Sequence, residues 1–252
     1  MNEAALFGAL IVAVYAMGTL SFLWLLLVPA PYGRHARKGW GPTIANRSGW
    51  IVMESPTVIV FAAVYAAGPL RAEPAPLVLL AAWMLHYVYR AFIYPFRIRS
   101  TTKRMPLTIV GMGFAFNVLN AYLNARWISK FGSYGGGAGV DGWLWAGLVL
   151  FLGGWLLNQS ADHRLIRMRR TDDSTYRIPR GWPFRFVTCP NYLGEIIEWS
   201  GWALASRSPA ALAFAVFTFA NLAPRARTHH RWYHDRFPDY PSGRKALIPF
   251  VF

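Results

Sequence analysis

Residues 6–28 read LFGALIVAVYAMGTLSFLWLLLV, 23 positions without a charge. At about 1.5 Å rise per residue such a helix covers the ~30 Å of a bilayer's hydrocarbon core. No basic stretch precedes it and no small-residue cleavage site follows, so it reads as a retained span rather than a leader. Working outward, apolar segments recur at Trp50–Gly68, Pro76–Phe96, Pro106–Leu123, Trp143–Leu157, Tyr192–Ser206 and Pro209–Leu222. The expected fold is therefore all-α: one integral membrane bundle of seven transmembrane helices. Apolar residues make up 55% of the 252-residue chain, high for a soluble domain and ordinary for a membrane one.

The charges support this parse. The segments after the first, third and fifth helices, with the tail, hold 21 of the 26 Lys and Arg; the intervening segments hold 4, and Arg90 alone lies within a span. That asymmetry places the N-terminus outside and the C-terminus in the cytosol. The net charge of +15 then reports topology and contact with anionic lipid headgroups, and nucleic acid is not needed to explain it.

Other chemistries are weakly supported. One cysteine, Cys189, excludes an internal disulfide framework. GMGFAF from Gly111 lacks the third glycine of a dinucleotide fingerprint and does not follow a strand. THHRWYH at 228–234 has no cysteine or acid at ligand spacing, so no metal is expected. SYGGGAG at 133–139 reads as a flexible linker.

The polar residues that interrupt the spans are more telling. Glu54, in WIVMESPTVIVF, is an acid at membrane depth, costly unless it has a function; the alternative is a clamp on the backbone beside Pro56. Tyr87, Arg90 and Tyr94 share one helical face, with His86 beside them; an interfacial aromatic belt is the competing reading. Asn158, Asp162, Leu165 and Arg169 follow a 4-3-4 spacing, and Asn191, Glu195 and Glu198 a 4-3 spacing. Both stripes are expected to converge at a cytosolic mouth. There the Arg, Tyr and His of the tail suit either a phosphorylated aromatic ligand such as a nucleotide or lipid headgroups.

PNYLGEIIEWSGWALA from Pro190, STYRIPRG from Ser174 and HHRWYHDRFPDYPSGRKALIPFVF from His229 closely resemble the C-terminal half of the steroid 5α-reductases. MESP at 53–56 and HYVYRAFIYPF at 86–96 extend a weaker resemblance over nearly the whole chain, and the Arg-rich, Lys-poor usage is like that of a bacterial member. The resemblance implies a single reductase domain over residues 1–252. Its first 125 or so residues would form the substrate side, and residues from about 143 the cofactor side. The implied reaction is NADPH-dependent reduction of the carbon 4–carbon 5 double bond of a 3-oxo-Δ4 steroid. Glu54 and Tyr87 would bind the 3-ketone; Asn158, Asp162, Arg169, Tyr176, Asn191, Glu195, His229, Tyr233 and Arg244 would bind NADPH. Met53 departs from the Gln of the animal enzymes. The partners implied are a steroid-like lipid and the membrane, with no nucleic acid and no obligate protein partner. The membrane would be the cytoplasmic one of a bacterium or the endoplasmic reticulum of a eukaryote. Competing readings are a reductase of another conjugated lipid double bond (an enoyl thioester or a polyprenoid), an isoprenylcysteine-type methyltransferase, and a lipid carrier without chemistry.

Overall fold

The computed structural model describes residues 2–30, 39–98, 103–134, 141–168 and 176–252. Nine α-helices are described: α1 (Glu3–Leu27), α2 (Asn46–Glu54), α3 (Pro56–Ala66), α4 (Pro74–Val88), α5 (Tyr94–Arg97), α6 (Leu107–Arg126), α7 (Gly142–Met168), α8 (Pro190–Ser206) and α9 (Pro209–Arg236). A π-helical turn at Tyr89–Ile93 joins α4 to α5, and another at Trp127–Phe131 ends α6. The all-α expectation needs one small amendment. β1 (Thr43–Ala45) and β2 (Arg104–Pro106) pair antiparallel, with Ile44 opposite Met105. Arg104 secures this ribbon by donating from Nε to Thr43 Oγ1 (2.8 Å) and from Nη2 to the Thr43 carbonyl (2.7 Å).

Among the described residues, five helical stretches are long and apolar enough to cross a membrane: Glu3–Leu27, Asn46–Ala66, Pro74–Arg97, Leu107–Phe131 and Gly142–Met168. They correspond to the first five expected spans. The last two expected spans differ physically. α8 has only 17 residues and carries two glutamates, and α9 joins an apolar first half to a basic second half. α1 illustrates the lipid solvent. It is apolar all round, yet only Phe7, Val14 and Gly18 are buried, so most of its apolar surface faces outward.

The second span breaks where its sequence requires. Pro56 has no N–H to give the carbonyl of Val52, and Ser55 Oγ donates to that carbonyl instead (3.2 Å). Thr57 Oγ1 donates to the Glu54 carbonyl (2.6 Å), and Asn117 Nδ2 to that of Met53 (2.8 Å). The backbone around the break is thus served by Ser55, Thr57 and Asn117. The Glu54 side chain accepts from the same Asn117 Nδ2 (3.1 Å).

α7 and α8 meet backbone to backbone. A Cβ on Gly147 would lie 2.3 Å from the Ala205 nitrogen, and one on Gly154 2.3 Å from that of Glu198. One on Gly194 would lie 2.5 Å from the Asn158 nitrogen, and one on Gly201 2.4 Å from that of Phe151. Two glycines seven residues apart on each helix allow this approach, the small-residue packing favoured where lipid supplies no hydrophobic drive. The lock also sets the register that brings the polar stripe of α7 against that of α8. Trp199 and Trp202 of α8 pack with Trp83, Phe151 and Phe214 in one buried aromatic cluster.

The tail folds back onto the segment that leads into α8. Thr188 N donates to the Lys245 carbonyl (2.8 Å), Lys245 N to Phe186 (2.9 Å) and Cys189 N to Ala246 (3.1 Å). Ala246 and Leu247 are buried against Cys189, Ala223 and Ala226.

Candidate active site

Two adjoining hollows open between the helices. The inner one, about 350 Å³, is bounded by α2, α4, α6, α7, α8 and α9. The outer one, about 230 Å³, lies toward the ribbon, Thr188–Cys189 and the basic half of α9. Trp50, Tyr94, Met105, Leu165, Asn191, Tyr192 and Arg225 line both, so the two form one continuous site.

Glu54 and Tyr87 both line the inner hollow. Glu54 stands at the break of the second span, and its Oε2 accepts from Asn117 Nδ2 at 3.1 Å. Tyr87 is buried to 4% exposure. Its ring packs on Trp83 (4.5 Å between centroids), Trp199 (5.4 Å) and His86 (4.7 Å), which leaves little freedom for the hydroxyl to wander.

Arg90 sits in the π-helical turn, a distortion that often marks functional positions. Its guanidinium lies 4.6 Å from the ring centres of both Trp50 and Tyr94, and Nη1 is 3.5 Å from Asp162 Oδ2. Asp162 Oδ1 accepts from Asn191 Nδ2 (3.0 Å), and Asn158 Nδ2 donates to the Asn191 carbonyl (3.0 Å). The stripes expected on α7 and α8 therefore interlock across the glycine seam. Asn158, Asp162, Leu165, Asn191 and Glu195 all line the inner hollow.

Glu198 does not share that place. It is fully buried behind the wall, with Oε1 2.6 Å from His86 Nδ1.

Tyr176, His229 and Tyr233 line the outer hollow. Tyr176 meets Trp232 edge-on at 5.0 Å, and Tyr233 stacks on Tyr240 at 5.2 Å. His229 Nε2 lies 3.2 Å from the hydroxyl of Tyr192, to which Arg225 Nη2 donates at 3.2 Å. Lys103, Arg104 and Arg225 bring positive charge to the same walls. Arg244, expected to touch the ligand, lines neither hollow. It is buried in the tail, donating from Nη1 to the Tyr240 hydroxyl (3.3 Å) and from Nη2 to the Pro179 carbonyl (3.1 Å). Arg169 lies outside the described residues.

The tail junction is organised by Thr188, whose Oγ1 is 2.6 Å from His230 Nδ1, 2.8 Å from the Tyr240 hydroxyl and 3.1 Å from the Lys245 carbonyl. Burial, with His234, Arg244 and Lys245 nearby, pushes the His230 imidazole down to about 4. Burial also pushes the Tyr240 phenol up.

Sequence reasoning did not single out Asn117, Arg225 or the pairing of His86 with Glu198. The signal for the first was present: Asn117, Asn120 and Asn124, at helical spacing in an apolar span, are all buried on one face of α6. Among the described residues, no group of three or more His, Cys, Asp and Glu side chains converges as a metal site.

The site can enclose an apolar body at its inner end and hold a charged, ring-bearing ligand at its outer end. Comparisons with known proteins identify the family. The family model described as 3-oxo-5-alpha-steroid 4-dehydrogenase matches residues 103–252. The chain is 41% identical to steroid 5-alpha-reductase DET2 of Arabidopsis thaliana over 239 residues, 90% of each chain. It is 40% identical to 3-oxo-5-alpha-steroid 4-dehydrogenase 1 of Bos taurus over 260 residues, 100% of this chain and 99% of the relative. The Homo sapiens protein of the same name is 40% identical over 253 residues, 99% and 97% of the two chains.

Proposed function

The chain belongs to the steroid 5-alpha-reductase family, an oxidoreductase family, and on that premise we propose that it reduces the carbon 4–carbon 5 double bond of a 3-oxo-Δ4 steroid with NADPH. One observation carries the reading: a single continuous site has Glu54 and Tyr87 among buried aromatics at one end, and cations with flat rings at the other.

The donor set running from the outer hollow to the α7 and α8 side of the inner one fits NADPH. Lys103, Arg104 and Arg225 match phosphates, Tyr176, Tyr192, His229 and Tyr233 offer ring faces and edges, and Asn158, Asp162, Asn191 and Glu195 offer polar groups to ribose and nicotinamide amide. Arg169 joins this set by resemblance. Arg244 serves it indirectly, by holding Tyr240 and so the junction beside Tyr233. When bound, the cofactor supplies hydride to carbon 5 of the steroid.

The protein's own groups then meet the charge that appears on the 3-ketone. Tyr87, donating from a fixed ring, and Glu54 in its acid form stabilise the developing enolate oxygen, an oxyanion-hole role. The aromatic wall excludes water from that enolate.

The helices up to Arg126 form the steroid side and those from Trp143 onward the cofactor side. α8 and the first half of α9 complete seven spans, with the N-terminus outside and the outer hollow facing the cytosol, where NADPH is found. The decisive experiment follows NADPH absorbance in nanodiscs on addition of testosterone or progesterone. Loss of absorbance with formation of the 5α-reduced 3-oxo product is expected; no steroid-dependent oxidation would refute the reading.

A further inference from the structure

The reaction proposed above consumes a hydride and a proton, and Glu54 and Tyr87 account for the ketone oxygen only. Carbon 4 still needs its proton. The inner hollow offers one further group with a geometry suited to that step. His86 is 5% exposed and lines the hollow. Its ring is clamped edge-on by Tyr87 and by Trp199, each 4.7 Å away between centroids. Its Nδ1 lies 2.6 Å from Glu198 Oε1, which leaves Nε2 as the nitrogen available to the hollow.

Two hydrogen-bonding atoms 2.6 Å apart must have a proton between them, because two lone pairs at that distance repel. The remaining question is whether Nε2 carries a second proton. Glu198 is 0% exposed, and among the described residues its Oε2 is buried with no hydrogen-bond partner. A net charge of −1 on the pair would leave that oxygen unsolvated in the resting site, which is costly. The pair with two protons is neutral overall, and its second proton sits on Nε2, facing the hollow. Glu195, three residues earlier on the same helix, lines the hollow itself, so the withdrawal of Glu198 behind His86 is specific to that position. The other titratable groups lining the hollow are Glu54, Tyr87, Arg90, Tyr94, Asp162, Tyr192, Glu195 and Arg225.

We propose that His86 is the proton donor to carbon 4 and that Glu198 is its positioning residue. This rests on the reductase reading. Hydride forms the new carbon 5–hydrogen bond, and the carbon 4–carbon 5 π pair shifts to make the enolate. As the enolate oxygen pair restores the carbonyl, the carbon 3–carbon 4 π pair takes the Nε2 proton and forms the second carbon–hydrogen bond. The Nε2–H bonding pair remains on nitrogen. The Nδ1–Oε1 proton stays within the pair, which is left with one negative charge facing the Arg90 guanidinium. Water admitted through the outer hollow returns one proton. Tyr87 thus serves the oxygen, and its neighbour in sequence serves the carbon.

The test uses full-length protein in nanodiscs with NADPH and testosterone, comparing the unmodified chain with His86→Asn and Glu198→Gln. His86→Asn removes the nitrogen that faces the hollow. Glu198→Gln keeps the shape and removes the acid. NADPH binding and the Michaelis constant for steroid should stay within about twofold, while kcat falls roughly 100-fold for His86→Asn, in the range of a lost general acid, and less for Glu198→Gln. The ratio of rates in H2O and D2O should rise in both variants, and the isotope effect from NADPH deuterated at the transferred position should shrink, because proton transfer becomes limiting. A structural role would lower rates without this exchange of isotope effects. Unchanged turnover, or lower turnover with unchanged isotope effects, overturns the proposal. So does loss of NADPH binding in both variants, which would make the pair a packing element. An unmodified protein inert toward steroid would sink the proposed function and this inference together; an active one with indifferent variants sinks the inference alone.

Discussion

The two ends of the site are built by different forces. At the inner end, Tyr87 packs on Trp83 and Trp199, His86 on Tyr87 and Trp199, Glu54 is bonded to Asn117, and α7 touches α8 through glycine. Position there comes from close packing, which tolerates no added atom. At the outer end, position comes from hydrogen bonds and cations: the Tyr192–His229–Arg225 chain, and Thr188 tying together His230, Tyr240 and the Lys245 carbonyl. Such contacts lie nearer water and reform after small movements. The inner end is therefore suited to a reaction that needs a rigid electrophile. The outer end is suited to a charged ligand that must come and go.

That contrast makes graded expectations. The largest effect belongs to the inner end. Tyr87→Phe removes one hydroxyl and little volume, and should cut turnover by roughly two to three orders of magnitude, the usual cost of an oxyanion donor. NADPH affinity, measured separately by fluorescence titration, should hardly change. A parallel loss of both would mean that the ends are not independent.

Next comes the outer end. Arg225→Ala removes a cation that lines both hollows and holds the Tyr192 hydroxyl. A charged hydrogen bond is worth about 1.5–3 kcal/mol, so the Michaelis constant for NADPH should rise roughly 10- to 100-fold, with that for steroid far less affected. Steady-state kinetics with each substrate varied in turn would decide. If the steroid constant rose instead, the two ends would have to be exchanged.

A smaller effect concerns the tail junction. His230 is held at about 4, below the ordinary histidine value of 6.5. The unfolded chain therefore binds a proton that the folded chain resists between those two values. Stability is present above pH 6.5 and is lost as pH falls toward 4. Melting followed over this range should show the decline, and His230→Asn should flatten it while leaving turnover at neutral pH nearly intact. The smallest effect is expected at Arg180–Asp239, 3.0 Å apart but about two-thirds exposed on each side. Arg180→Ala should change stability by no more than about 1 kcal/mol in thermal or chemical unfolding.

The residues that could be read from sequence are those whose meaning depends on helical spacing alone. The 4-3 spacing of Asn158–Asp162–Leu165 and the four-residue step from Asn191 to Glu195 place five side chains in one hollow. Glu54 stood out because an acid beside proline in an apolar span has few bland explanations, and Ser55, Thr57 and Asn117 now account for the backbone that it was the alternative candidate to clamp.

What spacing could not tell was depth. Glu198 continues the stripe of Glu195 yet turns behind the wall to His86, because the glycine seam sets how far α8 rotates against α7. The π-helical turn at Tyr89–Ile93 changes the local period, so the face shared by Tyr87, Arg90 and Tyr94 is made by the cavity that they all line and not by a regular helix. Arg244 is implied as a ligand contact by the resemblance; in the folded tail its Nη1 and Nη2 donate to Tyr240 and the Pro179 carbonyl. Burial of a long polar side chain is a tertiary property, and its neighbours in sequence do not report it.

The most direct test of the division between the two ends is Glu54→Gln, measured twice in the same nanodisc preparation. One measurement is the NADPH dissociation constant; the other is turnover of a 3-oxo-Δ4 steroid with product analysis. Glu54 lies in the inner hollow only, bonded to Asn117, and the substitution keeps its shape. The expected result is an NADPH constant within about twofold of the unmodified protein and turnover lower by roughly 100-fold or more. Near-normal turnover, or a weakened hold on NADPH that accounts for the whole loss, would contradict the account.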